Sequence, residues 1–372
     1  MAPETPAAAL SGRGLVVALQ ANYCWVELER PGPAGRNRLL CTRRTRLAKA
    51  GQSICVGDRV RLEGIDWTAG RGAVAGVEPR SSLLRRPAVA NVSRVVVVVA
   101  LAEPHPDPLQ LTRFLITAEA TGRPVELVFS KADLLPVTQV EAWCARARGW
   151  GYDPLAVSGR SGLGLESLRH RLAQVGIAVL CGPSGVGKSS LLNRLSPALE
   201  LRVGAVSGRL QRGRHTTRHV ELFALAPGAL VADTPGFNRP ELPDDPVALA
   251  GLFPELRQRL SRGHCRFSNC LHQGEPGCGA AGPWERLPLY QHCLEQIQAQ
   301  LERQQPSGSG GGNGSGQSVR RRGANLEPRL APRLRQPSRR SGRQRLGRET
   351  SGEETSGEPD SPPALSPPPR ED

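Results

Sequence analysis

A chain of 372 residues with 38% hydrophobic content can build two or three domains, while 42 glycines, 33 prolines and only 4% aromatics predict a globular part diluted by unstructured sequence. The formal charge of +15 favours a polyanionic partner, nucleic acid or an anionic surface. No run approaches the roughly 18 to 20 apolar residues of a membrane span, and the first ten residues lack the basic and apolar regions of a secretion signal. A cytoplasmic protein with no membrane partner is therefore expected. Nine cysteines, an odd number scattered over a long chain, fit a metal cluster in a reducing compartment better than a disulfide framework.

In chain order, residues 1–11 are expected to be disordered and residues 12–86 to form a small β-barrel of the OB type. Short strands are predicted at 14–19, 23–28, 58–63 and 72–77, each alternating apolar and polar residues and separated by glycine-rich turns. Residues 1–86 carry net +7, nearly half the charge of the chain. Arg36, Arg38, Arg43, Arg44 and Arg46 read either as a solvated loop face or as an RNA contact. Tyr23 and Trp25 read as packing residues or as stacking platforms for bases.

Residues 87–245 predict an α/β domain. The run at 94–101 is continuously apolar, as in a parallel strand covered on both faces, and a helical pattern at 109–120 and a strand at 125–129 complete a β-α-β unit. That second strand ends in Ser130-Lys131-Ala132-Asp133, similar to the guanine-reading N-K-x-D of GTPases, and Ser158-Gly159 opens a segment similar to their S-A-x loop. A carboxylate at Asp133 can accept from the N1–H and N2–H₂ of guanine, whereas adenine offers no matching donors. Ser130 departs from the usual asparagine and lacks the amide that bridges the base N7 to neighbouring loops, so affinity is expected to suffer more than selectivity.

A strand at 175–181 then runs into Gly182-Pro183-Ser184-Gly185-Val186-Gly187-Lys188-Ser189, a full phosphate loop, with Ser190 opening the following helix. Backbone N–H groups of such a loop surround a polyphosphate, the lysine adds a compact charge, and Ser189 can ligate Mg²⁺. Among 49 Lys and Arg residues only Lys49, Lys131 and Lys188 are lysines, so an ammonium here is a specific requirement. Downstream, Thr216 or Thr217 is the candidate switch threonine, and Asp233-Thr-Pro-Gly236 matches the D-x-x-G that reaches the metal through water and the γ-phosphate through the glycine N–H. Base-reading motifs that precede the phosphate loop imply a circularly permuted GTPase.

Residues 246–305 hold Cys265, Cys270, His272 and Cys278, a C-x4-C-x-H-x5-C spacing that suits a closed tetrahedral Zn²⁺ site of structural type. His264, His292 and Cys293 are possible substitute ligands. A helix is predicted over 284–303, and residues 306–372 read as a disordered tail, first Arg-rich and then Pro/Ser/Glu-rich, with at most loose attachment to RNA.

This combination over about 12–303 closely resembles the ribosome small-subunit-dependent GTPase A (RsgA) family of circularly permuted GTPases. The resemblance implies GTP and GDP as ligands, Mg²⁺ held with GTP by Ser189, Thr217 and Asp233, one structural zinc, and a monomer that binds the small (30S) ribosomal subunit and its rRNA. It further implies a role in late subunit maturation, with hydrolysis stimulated by the subunit and coupled to release. Phe237 stands where Ras-type GTPases carry the water-orienting glutamine, so the aligning group must come from elsewhere, either His215 or the ribosome. The competing expectation is a GTP-regulated RNA-binding module in which hydrolysis is incidental.

Overall fold

Five strands close the N-terminal barrel: β1 (Gly12–Gln20), β2 (Tyr23–Leu28), β3 (Arg38–Arg43), β4 (Arg59–Asp66) and β5 (Arg71–Val77). The computed structural model describes residues 11–20, 22–43, 53–85, 88–196, 220–233 and 240–304. The barrel strands pair in the order β1-β2-β3-β5-β4 and back to β1, with β3 and β5 parallel, which is the closure of an OB-type barrel. Val16, Cys24, Val26, Leu39, Cys41, Val60, Leu62 and Val74 fill its interior.

β3 is the barrel strand that the sequence pattern did not predict. Its arginines lie at both ends, while Leu39 and Cys41 alternate inward between them, so the charge density hid an ordinary half-buried strand. Arg36 stays in the preceding loop; Arg44 and Arg46 lie outside the described residues.

A short hairpin, β6 (Leu83–Arg85) with β7 (Ala88–Ala90), leads from the barrel into the second sheet. There the chain alternates β8 (Val92–Ala100), α1 (Pro108–Glu119), β9 (Val125–Ser130), α2 (Val137–Gly149), β10 (Leu155–Ala156), α3 (Leu165–Leu172), β11 (Gly176–Cys181), α4 (Lys188–Leu195), β12 (Glu221–Ala226) and β13 (Ala229–Asp233). Spatially the order is β10-β9-β8-β11-β13-β12, parallel except for the edge strand β12. The apolar run in β8 is explained by its two covered faces: Val95, Val97 and Val99 pack with α1 and α2, whereas Val96, Val98 and Ala100 pack with α3 and α4.

Helix α1 starts where Asp107 accepts a hydrogen bond from the Leu109 amide at 2.9 Å, with Pro108 in the first turn. Leu111, Phe114, Leu115 and Ala118 repeat at helical spacing and are fully buried on the sheet, each of the larger ones contributing on the order of 2 kcal/mol.

After β13 the chain forms α5 (Pro254–Arg262), which the sequence did not announce, and α6 (Leu287–Gln304), which begins three residues later than expected. Phe253, Leu256, Leu271, Tyr290, Leu294 and Ile297 make a core shared with Ile116 of α1, so this module packs against the back of the α/β domain. Arg286, 1% exposed, fastens the joint. Its Nε and Nη2 donate to both carboxylate oxygens of Glu255 at 2.6 and 2.5 Å, and its guanidinium lies against the rings of Phe253 and Trp150 at 4.8 and 5.0 Å. Among the described residues no helix is long and apolar enough to cross a membrane.

Candidate nucleotide cleft and metal centre

The phosphate loop leaves the carboxyl end of β11, flanked by β8 and β13, which is where open parallel sheets bind ligands. Gly182 has φ of 139°, and a Cβ there would lie 2.0 Å from the Val98 carbonyl oxygen, so only glycine lets the loop cross β8 so closely. Lys188 opens α4 with its side chain folded back, Nζ donating to the carbonyls of Gly182 and Pro183 at 2.7 Å each. The ammonium is therefore held directly above the loop backbone that would surround a phosphate. Ser189 and Ser190 follow in the first turn of the helix, and Ser184 and Gly185 are exposed at the loop tip.

Two neighbouring strands bring the other motifs to the same edge. Ser130 ends β9, and its hydroxyl donates to the Val186 carbonyl of the phosphate loop at 2.6 Å, both residues being 1% exposed. A hydroxyl thus makes the link to the neighbouring loop, which is the loop half of the bridge that an asparagine amide extends to the base N7. Lys131 takes a left-handed conformation at φ of 55°, and its Nζ donates to the Glu103 carbonyl. The Ala132 amide is tied to the Val157 carbonyl at 3.1 Å, which joins the base-reading segment to the Ser158 loop.

Ser158 is fully buried and its Oγ accepts from the amides of Arg160 and Ser161 at 3.1 and 3.0 Å, fixing the turn that presents Gly159. Asp133 is exposed, with no side-chain partner among the described residues. A cleft of about 280 Å³ is lined by Ser130, Lys131, Asp133, Gly159, Val186, Gly187 and Ser190, together with Glu103 and Arg160. One end offers a carboxylate to a base and the other offers loop amides and an ammonium to phosphates. A larger cleft, about 1220 Å³, lies on the barrel at Arg13, Arg30 and Trp67, away from all of these motifs.

Glu103 was not foreseen, because it joins the cleft through the packing of loops that are distant in sequence, whereas Arg160 and Val186 belong to the predicted loops. Asp233 is placed by its backbone alone: the last residue of β13, opposite Leu180 of β11 and Glu221 of β12. His215, Thr216, Thr217 and Gly236 lie outside the described residues.

Removing the Ser130 hydroxyl strips the only hydrogen-bonding group of that side chain from a buried carbonyl. Ser130→Ala is expected to weaken guanine-nucleotide binding about ten-fold, the equivalent of ~1.4 kcal/mol, as measured by titration with a fluorescent GDP analogue. An unchanged affinity would show that the two loops are aligned without this bond.

In the C-terminal module, Cys265, Cys270, His272 and Cys278 bring their ligand atoms within 4.8 Å of one another. His272 Nδ1 is 3.5, 3.6 and 3.5 Å from the sulfurs of Cys265, Cys270 and Cys278. Zinc bonds of about 2.3 Å to sulfur and about 2.0 Å to nitrogen at tetrahedral angles require S···N separations of about 3.5 Å. The four groups can thus hold one zinc in a closed site.

The surrounding backbone is shaped for it. Glu275 accepts from the Leu271 and Gln273 amides at 2.7 Å each, curling the loop on itself, and the Gly279 amide donates to the Cys265 sulfur at 3.3 Å. A Cβ on Gly279 would meet the backbone of Gly263 at 2.6 Å. His264, His292 and Cys293 stay outside this cluster; His292 instead pairs with Gln296 at 2.8 Å. The other six cysteines are buried, and burial pushes the thiols of Cys24 and Cys41 up to about 11 and 12, so they remain protonated packing groups.

The sheet order, with base-reading strands β8 to β10 preceding the phosphate-loop strand β11 in the chain yet lying beside it, defines a circularly permuted GTPase with an OB-type barrel in front. A model of the RsgA GTPase family matches residues 77–243. The small ribosomal subunit biogenesis GTPase RsgA of Synechococcus sp. strain CC9605 is 61% identical over 281 residues, 76% of this chain and 92% of that protein. Among solved structures, YjeQ from Thermotoga maritima has a TM-score of 0.64 at 30% identity and covers 77% of this chain and 99% of its own. YloQ, a circularly permuted GTPase, has a TM-score of 0.63 at 27% identity, covering 82% and 99%. The chain belongs to the RsgA GTPase family.

Proposed function

We propose that this protein is a GTPase of small ribosomal subunit biogenesis, which binds the subunit late in its maturation and leaves on hydrolysis. The observation that carries this is the Ser130–Val186 bond, which joins the guanine-reading loop to the phosphate loop in one cleft, in a chain whose 61% identical relative is named for that role. The working units are a barrel over 12–86, a GTPase unit over 87–245 and a zinc module over 246–305, acting as a cytoplasmic monomer. The barrel supplies the basic surface for rRNA, with the zinc module docking beside it, and the +15 charge favours such a partner over any protein of neutral surface.

Ser189, in the first turn of the helix that follows β11, and Asp233, the last residue of the neighbouring strand β13, are assigned to hold Mg²⁺ with GTP, with Thr217 as the third ligand. The metal, when bound, neutralises charge that builds on the β- and γ-oxygens. Lys188 would add its ammonium to the same neutralisation, and the loop amides would bind the phosphates. No glutamine follows Asp233-Thr-Pro-Gly236, so His215 is assigned to orient the attacking water once the subunit is bound.

Multiple-turnover GTP hydrolysis by the full chain, with and without small subunits, tests the proposal. Hydrolysis is expected to be slow alone and to rise with subunits through kcat more than KM, the gain fading steeply as salt competes for rRNA phosphates. A parent enzyme that subunits bind but do not stimulate would instead mark a GTP-regulated RNA-binding module. His215→Ala should lose most of the stimulation while keeping GTP affinity. If it is stimulated as strongly as the parent, the aligning group is another.

Guanine choice is tested separately. Asp133→Asn is expected to lower the preference for GTP over xanthosine triphosphate by about 100-fold, ~3 kcal/mol for two hydrogen bonds to a charged acceptor. Competition titration of the two nucleotides measures it, and a parent that binds ATP as well as GTP would refute the role of Asp133.

A further inference from the structure

Among the described residues, the barrel strands and the GTPase sheet are joined by one strand pairing, Ala18 of β1 with Glu221 of β12. Three side chains stack over that seam. Trp25 pairs with Ala18 from the other side and packs against the core of the α/β domain. Arg38 lies on the outer face of β3, its guanidinium 4.9 Å from the Trp25 ring. Its Nη2 donates to the Glu221 carboxylate at 3.1 Å, and both side chains are about two-fifths exposed, 42% and 41%.

Glu221 is also the residue directly opposite Asp233 in the β12–β13 register. The ion pair therefore ties an outward arginine of the barrel to the strand pairing that ends at the nucleotide edge of the sheet. Stacking on Trp25 leaves the outer edge of the guanidinium open to solvent, in the position where an RNA phosphate would approach the face formed by Tyr23, Trp25 and Arg38. A phosphate held there places a second negative charge beside Glu221, which weakens its hold on Arg38.

We propose that Arg38 and Glu221 are positioning residues that report RNA occupancy of the barrel to the Glu221–Asp233 pairing. In the RNA-free protein the ion pair restrains β12; an RNA phosphate on Arg38 lifts the restraint. This rests on the proposal that RNA of the small subunit is the partner, and it adds the route by which docking reaches the hydrolytic site.

The test is GTP hydrolysis by full-length Glu221→Gln, Arg38→Ala and the charge-swapped Arg38→Glu/Glu221→Arg double variant, each with and without small subunits. Glu221→Gln is expected to raise the subunit-free kcat about three- to five-fold, the scale of a part-exposed ion pair, with KM for GTP within about two-fold of the parent. It should lower the ratio of stimulated to basal rate by the same factor while leaving the half-saturating subunit concentration unchanged. Arg38→Ala should show the same rise in basal kcat and also need more subunit. The swapped pair, which rebuilds the attraction, should return the basal kcat to the parent value.

A parental basal kcat in Glu221→Gln, or a swap that fails to restore it, overturns the coupling. Should subunits stimulate the parent while Glu221→Gln behaves identically, the biogenesis role stands and the coupling falls. Should subunits stimulate nothing, that role falls, and the basal rates of the single and swapped variants still decide whether the ion pair restrains the site.

Discussion

Lys188→Ala is expected to abolish measurable GTP turnover and to lower nucleotide affinity by at least about 100-fold, while the thermal midpoint moves little. What the folded chain loses is confined to the packing of one buried stem and two hydrogen bonds, from Nζ to the Gly182 and Pro183 carbonyls at 2.7 Å each. In the nucleotide complex the same ammonium would face the β- and γ-phosphates at close range in a partly dry cleft, where a charge-assisted contact is worth several kcal/mol. Loss of ~3 kcal/mol accounts for the 100-fold figure, and the larger effect on turnover follows because charge on the β–γ oxygens grows toward the transition state. Isothermal titration with GDP and single-turnover hydrolysis separate the two losses. Lys188→Arg should not rescue, since a broad planar fork cannot take the place of a compact ammonium beneath the β- and γ-phosphates. A Lys188→Ala enzyme within about ten-fold of the parent in affinity would mean that the loop amides alone hold the phosphates.

The phosphate loop, the base-reading segment and the zinc ligands were legible because each is a local string whose chemistry needs particular residues at fixed spacing. The permuted sheet was legible for a related reason: strands such as β8, covered on both faces, must be continuously apolar, and the order of motifs along the chain then dictates the connections. What escaped was set by contacts between distant segments. Strand β3 hides because Arg38 and Arg43 dominate its composition while only Leu39 and Cys41 carry the inward pattern, two apolar residues being too few for a periodicity to register.

Ser130 shows the same limit within the site. As a letter in a motif it is a loss of an amide; as a side chain it lies 2.6 Å from a carbonyl that sits 56 residues later, and a hydroxyl reaches that distance as well as an amide would. Arg286 is the extreme case. Nothing local marks an arginine just before a helix as the largest fully buried side chain among the described residues, because Glu255, Trp150 and Phe253 come together around it only in the folded chain.

Removing zinc is the second large perturbation, and it is expected to unfold one segment while sparing the cleft. Between Gly263 and Gly282 the chain contributes Leu271 and Ala280 to the core of the module, far too little apolar burial to offset the ordering of about twenty residues at ~1 kcal/mol or more each. The ion must supply the difference, and the tetrahedral S···N spacings of 3.5 to 3.6 Å are consistent with a site that can. Cys270→Ala should therefore lower the zinc content from about one per chain toward zero. It should also raise amide hydrogen exchange across 263–282 and free Tyr290, whose hydroxyl now donates to the Leu271 carbonyl at 2.7 Å. Helices α5 and α6 should persist, because Phe253, Leu256, Tyr290 and Leu294 still pack on Ile116 of α1 and the Arg286–Glu255 pair lies outside the loop. GDP affinity is expected to stay within about two-fold of the parent, since none of the cleft residues touches this loop, whereas subunit binding should fall with the ordered surface. His272→Cys, which keeps four ligands, should retain the metal. A Cys265→Ala/Cys270→Ala double variant with unchanged zinc content would place the ion elsewhere in the chain.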